Sequence, residues 1–299
     1  MRKSYPNGQD NSWSDNMEYF NLNDGNRIPS IGFGVFQIPP DRPTYEAVLD
    51  ALKAGYRHID TAAAYFNESD VGKAVRDSGI PREEIFVTSK LWLQDYAYED
   101  AKKAIDVSLE KLGLEYIDLY LLHQPYGKVE ESWKALEEAK AAGKIRSIGV
   151  SNMSPKIWNQ YVPKFSTVPA VNQVECNPYS QQRELRKILE PMNVIIEAWG
   201  PLGQGKGDLL TNPVIARIAE AHGKNAGQVI IRFEIQDGTV SLPKSTNPDR
   251  IRGNLDVFDF TLSESEMEEM RKLDTGTAGW DPDQPGVGEM LLEKYRIHD

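Results

Sequence analysis

Short apolar runs and longer stretches with apolar positions three and four apart take turns along this chain, the pattern of strands followed by helices. Positions 17–22 alternate, Asn23-Asp24-Gly25-Asn26 supplies a turn, and Arg27-Ile28-Pro29 resumes, which predicts a β-hairpin around an Asp-Gly turn. From Ile31 the pattern changes. A strand over 31–36 leads to a helix over 44–54 that Gly55 stops. A short run over 57–59 then delivers Asp60, and a helix over 69–78 ends at Gly79 and Pro81. Strand 85–89 is followed by helix 98–112, with Ala101, Ile105, Leu109 and Leu112 on one face and Gly113 as its stop. Next come strand 117–122, helix 129–142, strand 145–150, and a helix from Ser154 whose Pro155 suits the first helical position. Strands 170–175 and 193–199 flank a helix over 183–190. Two helical stretches, 214–221 and 226–236, precede the last strand at 240–242. A final helix over 263–272 opens with the capping box Ser263-x-x-Glu266.

The strand ends fall near 34, 60, 90, 123, 151, 175, 199 and 244, spacings close to those of βαβ units. Eight such units without a break in composition predict an α/β fold, a closed (β/α)8 TIM barrel with an N-terminal β-hairpin and an extra helix before the last strand. A doubly wound sheet is the alternative; it more often splits into halves with a linker, and no linker is visible. Residues 17–299 read as one catalytic domain, preceded by a flexible polar tail over 1–16.

Composition narrows the class. With 40% hydrophobic and 26% charged residues among 299, the chain is long enough to bury a full core. A net charge of −11 argues against nucleic acid and anionic membrane as partners. One cysteine, Cys176, forms no internal disulfide and points to a reducing, cytoplasmic setting. No apolar run approaches the roughly 20 residues of a membrane span, and 1–16 lacks the apolar stretch of a signal peptide.

The chemistry gathers at strand ends. Asp60, Lys90 and His123 close the second, third and fourth strands, and Tyr65 lies on the loop after Asp60. In a barrel the carboxyl ends of the strands carry the chemistry, so these four meet at one rim. A free phenol, with a pKa of about 10, is a poor acid near neutrality. A neighbouring ammonium favours the phenolate and is expected to lower that value; a carboxylate keeps the ammonium charged and oriented. A histidine in reach holds a carbonyl oxygen by hydrogen bond. Each residue has a plain structural reading as well: Asp60 as a cap, Tyr65 as a packed aromatic, Lys90 as a surface residue, His123 as a satisfied interior histidine. Four complementary types at one rim outweigh those readings taken singly. The set suits proton delivery to an oxygen, the proton half of a carbonyl reduction, with hydride from a cofactor and no metal.

Three stretches compete as phosphate sites. Gly32-Phe33-Gly34-Val35 begins like a dinucleotide fingerprint but lacks the third glycine. The loop 200–207 matches G-x-x-x-x-G-K, then has Gly207 where a metal-binding Ser or Thr belongs. It reads as a loop covering a ligand, with nucleotide hydrolysis as the alternative. Pro243-Lys244-Ser245-Thr246-Asn247-Pro248-Asp249-Arg250, entering a helix after the last strand, offers two cations, hydroxyls and a helix N-terminus to a phosphate.

The stretches Gly55-Tyr56-Arg57-His58-Ile59-Asp60-Thr61-Ala62, Tyr65, Ser89-Lys90-Leu91-Trp92, Leu122-His123-Gln124-Pro125, Gly149-Val150-Ser151-Asn152, Val171-Asn172-Gln173-Val174-Glu175 and Leu242-Pro243-Lys244-Ser245, in this order, resemble the aldo-keto reductases across nearly all of 17–273. The resemblance implies an NADPH-dependent carbonyl reductase with Tyr65 as general acid, Asp60 and Lys90 tuning it, and His123 orienting the substrate carbonyl. It implies that Ser151, Asn152 and Gln173 hold the nicotinamide carboxamide and that Trp199 stacks on the ring. Lys244, Ser245 and Arg250 match positions that grip the adenosine 2′-phosphate, favouring NADPH over NADH, and Asn254 matches an adenine contact. Gly34, Val35, Gly200, Pro201, Leu202 and Thr246 complete the implied cofactor contacts. Phe36, Trp92 and His123, with Tyr65, wall the implied substrate pocket.

Departures carry information. Trp199 stands where many relatives have tyrosine, Gln124 where mammalian members often have tryptophan, and Asn177 where histidine is common. Gln124 and Asn177 look like the bacterial branch acting on diketo-gluconates, glyoxals and general aldehydes. The polar segment 281–299 reads as short, leaving an open, permissive pocket. Partners are then a small carbonyl substrate, with the chain a monomer or weak oligomer. An NADPH-binding sensor barrel without turnover is the alternative from another class.

Overall fold

The structure is a computed structural model that describes residues 17–39, 43–276 and 278–298. The segment read as a flexible tail, 1–16, lies outside the described residues. The hairpin is present: β1 (Tyr19–Asn21) pairs antiparallel with β2 (Arg27–Pro29). Gly25, at φ 89°, takes the positive-φ place in its turn.

Eight parallel strands follow in sequence order. They are β3 (Phe33–Gly34), β4 (His58–Asp60), β5 (Phe86–Leu91), β6 (Ile117–Leu122), β7 (Ile145–Ser151), β8 (Val171–Glu175), β9 (Ile195–Trp199) and β10 (Thr239–Leu242). Backbone bonds close the ring between the last strand and the first: Gly32 N donates to Ser241 O at 2.9 Å, Ser241 N to Ser30 O at 3.0 Å, and Gly34 N to Pro243 O at 3.3 Å. The first strand is shorter than the expected 31–36: Ile31 makes only an isolated bridge to Ser241, and the ladder stops at Gly34, ahead of the turn in which Gln37 has φ 53°.

Helices alternate with the strands: α1 (Thr44–Ala54), α2 (Glu68–Asp77), α3 (Tyr98–Leu112), α4 (Val129–Ala141), α5 (Pro155–Tyr161) and α6 (Arg183–Leu189). Two helices, α7 (Pro213–His222) and α8 (Ala226–Gln236), separate β9 from β10, and α9 (Pro248–Leu255) and α10 (Glu264–Arg271) come after. The local signals explain the ends. Pro155 opens α5 behind the Ser154 cap, Gly113 closes α3 at φ 61°, and the Ser263–Glu266 capping box forms in both directions. One face of α3 departs from expectation: Ser108, not Leu109, is buried with Ala101, Ile105 and Leu112, and its hydroxyl meets Tyr120 Oη at 2.8 Å.

A further helix, α11 (Val287–Lys294), was not expected in the polar segment after Trp280. Val287 and Leu291, one turn apart, bury the narrow apolar stripe that lets it dock. The segment is fastened at the barrel mouth: Trp92 Nε1 donates to Tyr295 O at 2.8 Å, and His298 Nε2 lies 2.6 Å from Asp95 Oδ1. The described part of the segment read as leaving an open pocket, 281–298, is folded and fastened at the barrel mouth.

Inside the barrel, side chains point inward at every second position. One part of it is apolar: Phe86, Leu119, Leu121, Val171, Val240 and Leu242 pack together with Leu22 and Ile28 of the hairpin. Another part is polar, with His58, Thr88, Lys90, Gln173 and Glu197 buried.

Candidate active site

The four rim residues meet. Asp60 ends β4, Lys90 lies one residue before the end of β5, and His123 follows β6 directly, its backbone N–H bonded to Leu91 O at 3.1 Å. The small residues after Asp60 turn in a single 3-10 step, Ala63–Tyr65, which brings the phenol back over the strand ends. Thr61 Oγ1 bonds Asn67 Oδ1 at 2.6 Å and Asn67 Nδ2 reaches Val35 O at 3.2 Å, pinning that loop to β3.

Lys90 is fully buried, and its three ammonium donors have three acceptors: Asp60 Oδ1 at 2.7 Å, Thr61 O at 2.8 Å and Tyr65 Oη at 3.4 Å. Burial alone would lower its pKa; Asp60 chiefly outweighs that and holds the ammonium above its usual range. The His123 ring stands edge-on to Tyr65 at 5.4 Å and to Trp92 at 5.1 Å, while Phe36 leans on Tyr65 at 4.8 Å. Tyr65 keeps a half-buried face and Phe36 is 42% exposed, so the cluster opens outward.

Two ionisations set what this cluster does. Burial, aided by the field of Lys90, pushes His123 well below its usual value, so the imidazole is neutral. Burial raises the Tyr65 phenol; Lys90 opposes that rise, and Asp60 and Glu197 add to it. This reverses the expected lowering. Lys90 is where the sequence placed it, but the desolvation of the phenol is the larger effect. Tyr65 therefore carries its proton at neutral pH.

Below the rim lies a partner that sequence reasoning missed. Gln173 donates one amide hydrogen to Asp60 Oδ2 at 2.8 Å and the other to Glu197 Oε2 at 2.7 Å. Both hydrogens of its amide nitrogen are thus spent on carboxyl groups of the barrel interior. Glu197 is fully buried on β9, in register with Gln173. The available signal was a glutamate flanked by apolar residues, Ile195-Ile196-Glu197-Ala198, in a strand expected to be interior.

The remaining candidates line the same end. Ser151 Oγ donates to Gln173 O at 2.8 Å, and Asn152, at φ 58°, reaches His123 O and Gln124 Oε1 through its amide. Trp199 is half-buried at the end of β9 with Nε1 donating to Asn152 Oδ1 at 2.9 Å, which fixes the indole plane. Gly34 and Val35 are buried on and beside β3. Lys244 and Arg250 are exposed, the former touching Gln37 O at 3.2 Å; Ser245 is buried, and Thr246 and Asn254 are half-buried. Gly200, Pro201 and Leu202 begin a loop that leads to α7 only at Pro213, so 200–207 is not the strand–loop–helix cradle of a nucleotide hydrolase.

A parallel barrel with a phenol, a lysine–aspartate pair and a neutral histidine at the carboxyl ends of its strands has the parts needed to move a proton at an oxygen. The chain belongs to the aldo/keto reductase family, whose model matches residues 30–275. It is 49% identical to an aldo-keto reductase of Mycolicibacterium smegmatis over 85% of this chain and 93% of that one. It is 43% identical to the glyoxal reductase of Bacillus subtilis over 88% of this chain and 95% of that one. A variant of Gox0644 solved in complex with NADPH superposes with a TM-score of 0.84 at 40% identity, over 90% of this chain and 98% of that one. The chain is accordingly an NAD(P)H-dependent oxidoreductase acting on carbonyl and CH–OH groups. Its donors suit that cofactor: an aromatic face held by Asn152, amides beside it, and exposed cations where α9 begins.

Proposed function

We propose that the chain is an NADPH-dependent reductase of small aldehydes and ketones, with Tyr65 as the proton donor. The observation that carries the reading is the Tyr65 hydroxyl, half-buried and 3.4 Å from a lysine already clamped by Asp60 at 2.7 Å. The dihydronicotinamide supplies hydride to the carbonyl carbon. Tyr65 gives its proton to the oxygen, and Lys90 stabilises the phenolate left behind. A neutral imidazole is far too weak an acid to compete, so His123 orients the carbonyl by hydrogen bond. Phe36, Trp92 and His123 wall the substrate site. Ser151, Asn152 and Gln173 would hold the carboxamide, Trp199 the ring, Lys244, Ser245 and Arg250 the 2′-phosphate, and Asn254 the adenine. Gly34, Val35, Gly200, Pro201, Leu202 and Thr246 would complete the cofactor's contacts. Residues 17–299 act as one unit on a small-molecule partner; the net charge of −11 speaks against polyanions.

The test is NADPH consumption over methylglyoxal, an aromatic aldehyde and a diketo-sugar acid. Methylglyoxal comes first because a relative is a glyoxal reductase. Tyr65→Phe should lose turnover by roughly 100- to 10,000-fold, the range for a positioned acid, while still quenching NADPH fluorescence on binding. A variant that keeps most of its turnover would overturn the assignment.

A further inference from the structure

The interior beneath Tyr65 holds one cation and two carboxylates. Lys90 sits against Asp60, and Gln173 links Asp60 to Glu197. Glu197 receives that one amide hydrogen on Oε2, while Oε1 is buried without a hydrogen-bond partner. His58 Nε2 stands 3.6 Å from Oε1, too far to donate, and is engaged by Thr88 Oγ1 at 2.9 Å. Burial chiefly drives His58 down to about 3, so it is neutral and brings no charge. The titratable groups facing Glu197 are therefore His58 and Asp60 from β4, Lys90 from β5 and Tyr65 from the turn after β4; β8 presents the neutral Gln173. A dry carboxyl with one oxygen unserved, and the only nearby cation already taken, is stable as the neutral acid.

We propose that Glu197 is a positioning residue for Tyr65: as a neutral carboxyl it orients Gln173 onto Asp60, and on losing its proton it weakens Tyr65 as an acid. The inference rests on the reading of Tyr65 as proton donor. Burial raises Glu197 to about 8, with Asp60 the next cause. The sign follows directly. Below that value the enclosed charges are Lys90 and Asp60 alone. Above it a second anion joins them, disfavours the phenolate, and makes the Tyr65 proton harder to release. Reduction should slow as pH rises through about 8, before Tyr65 itself titrates.

Glu197→Gln separates this role from packing, because the amide oxygen still accepts from Gln173 but never ionises. The direct readout is tyrosinate absorbance of the full-length protein against pH, with Tyr65→Phe as the blank in each background. In Glu197→Gln, Tyr65 should ionise about one pH unit lower than in the wild type, a tenfold gain in acidity. Glu197→Leu, which removes the carboxyl entirely, should shift Tyr65 by a similar amount and serves if the amide variant does not fold. With NADPH and methylglyoxal, the wild-type kcat should fall about tenfold through pH 8, and the variants should lack that step. Identical Tyr65 titrations in the wild type and the variants would overturn the proposal. The absorbance readout needs no substrate, so a protein that reduces no carbonyl would sink the reductase reading while Tyr65 still judges Glu197.

Discussion

The two halves of the barrel interior solve the same packing problem in opposite ways. In one, Phe86, Leu119, Leu121, Val171, Val240 and Leu242 fill the space as an apolar cluster with Leu22 and Ile28 of the hairpin. Fit there is tight: a Cβ at Gly149 would lie 2.7 Å from both Leu121 Cδ2 and Val171 O. In the other, His58, Thr88, Glu197, Gln173, Asp60 and Lys90 form a polar cluster connected mostly by hydrogen bonds. The seam between the two is visible at Gly32, where a Cβ would lie 2.6 Å from both His58 Nδ1 and Leu242 Cδ2. The apolar half stabilises by burial alone. The polar half stabilises little in itself, since desolvating its charges offsets their attraction, and what it confers is a fixed electrostatic frame under Tyr65.

That contrast predicts different responses to truncation. Lys90→Met leaves Asp60 buried without its cation and should cost about 3–5 kcal/mol in chemical denaturation. The double variant Asp60→Leu/Lys90→Met should recover much of that loss while remaining inactive, which would show that the pair serves chemistry. If the double variant were as unstable as the single, the polar half would be structural after all. Leu121→Ala, in the other half, should cost about 2–5 kcal/mol by opening a cavity. It should leave the pH at which Tyr65 ionises unchanged. A shift in that titration would mean that the two halves are coupled through packing.

How much of this was legible in the sequence follows the same division. The barrel, its hairpin and most element boundaries are carried by local signals: Gly113 and Gly55 as stops, Pro155 at a helix start, the Ser263 capping box. The rim residues were legible because topology places strand ends together. Three features were not. The direction of the Tyr65 shift depends on how deeply the phenol is desolvated, a sum over neighbours from several strands. The role of Glu197 depends on register, which sets it beside Gln173 and leaves Oε1 unserved. Helix α11 escaped notice because its buried stripe is only two large residues, Val287 and Leu291, and its docking bonds join positions some 200 residues apart, such as Trp92 to Tyr295.

The smallest expected effect lies outside both halves, on the exposed fringe of the polar end. Lys244 is solvent-exposed, and its ammonium donates to Gln37 O at 3.2 Å. Lys244→Ala therefore removes a charge that is already hydrated, and stability should stay within about 0.5 kcal/mol of the wild type. If Lys244 and Arg250 together face a dianionic 2′-phosphate, losing one cation should weaken NADPH binding about tenfold, roughly 1.4 kcal/mol. NADH, lacking that phosphate, should bind as before. Fluorescence titration of both cofactors checks this, and the ratio of the two affinities is the informative quantity. An equal loss for NADH and NADPH would place Lys244 against a part common to both cofactors. The cofactor preference would then have to come from Ser245 and Arg250 instead, and the exposed fringe would no longer behave differently from the buried pair beneath it.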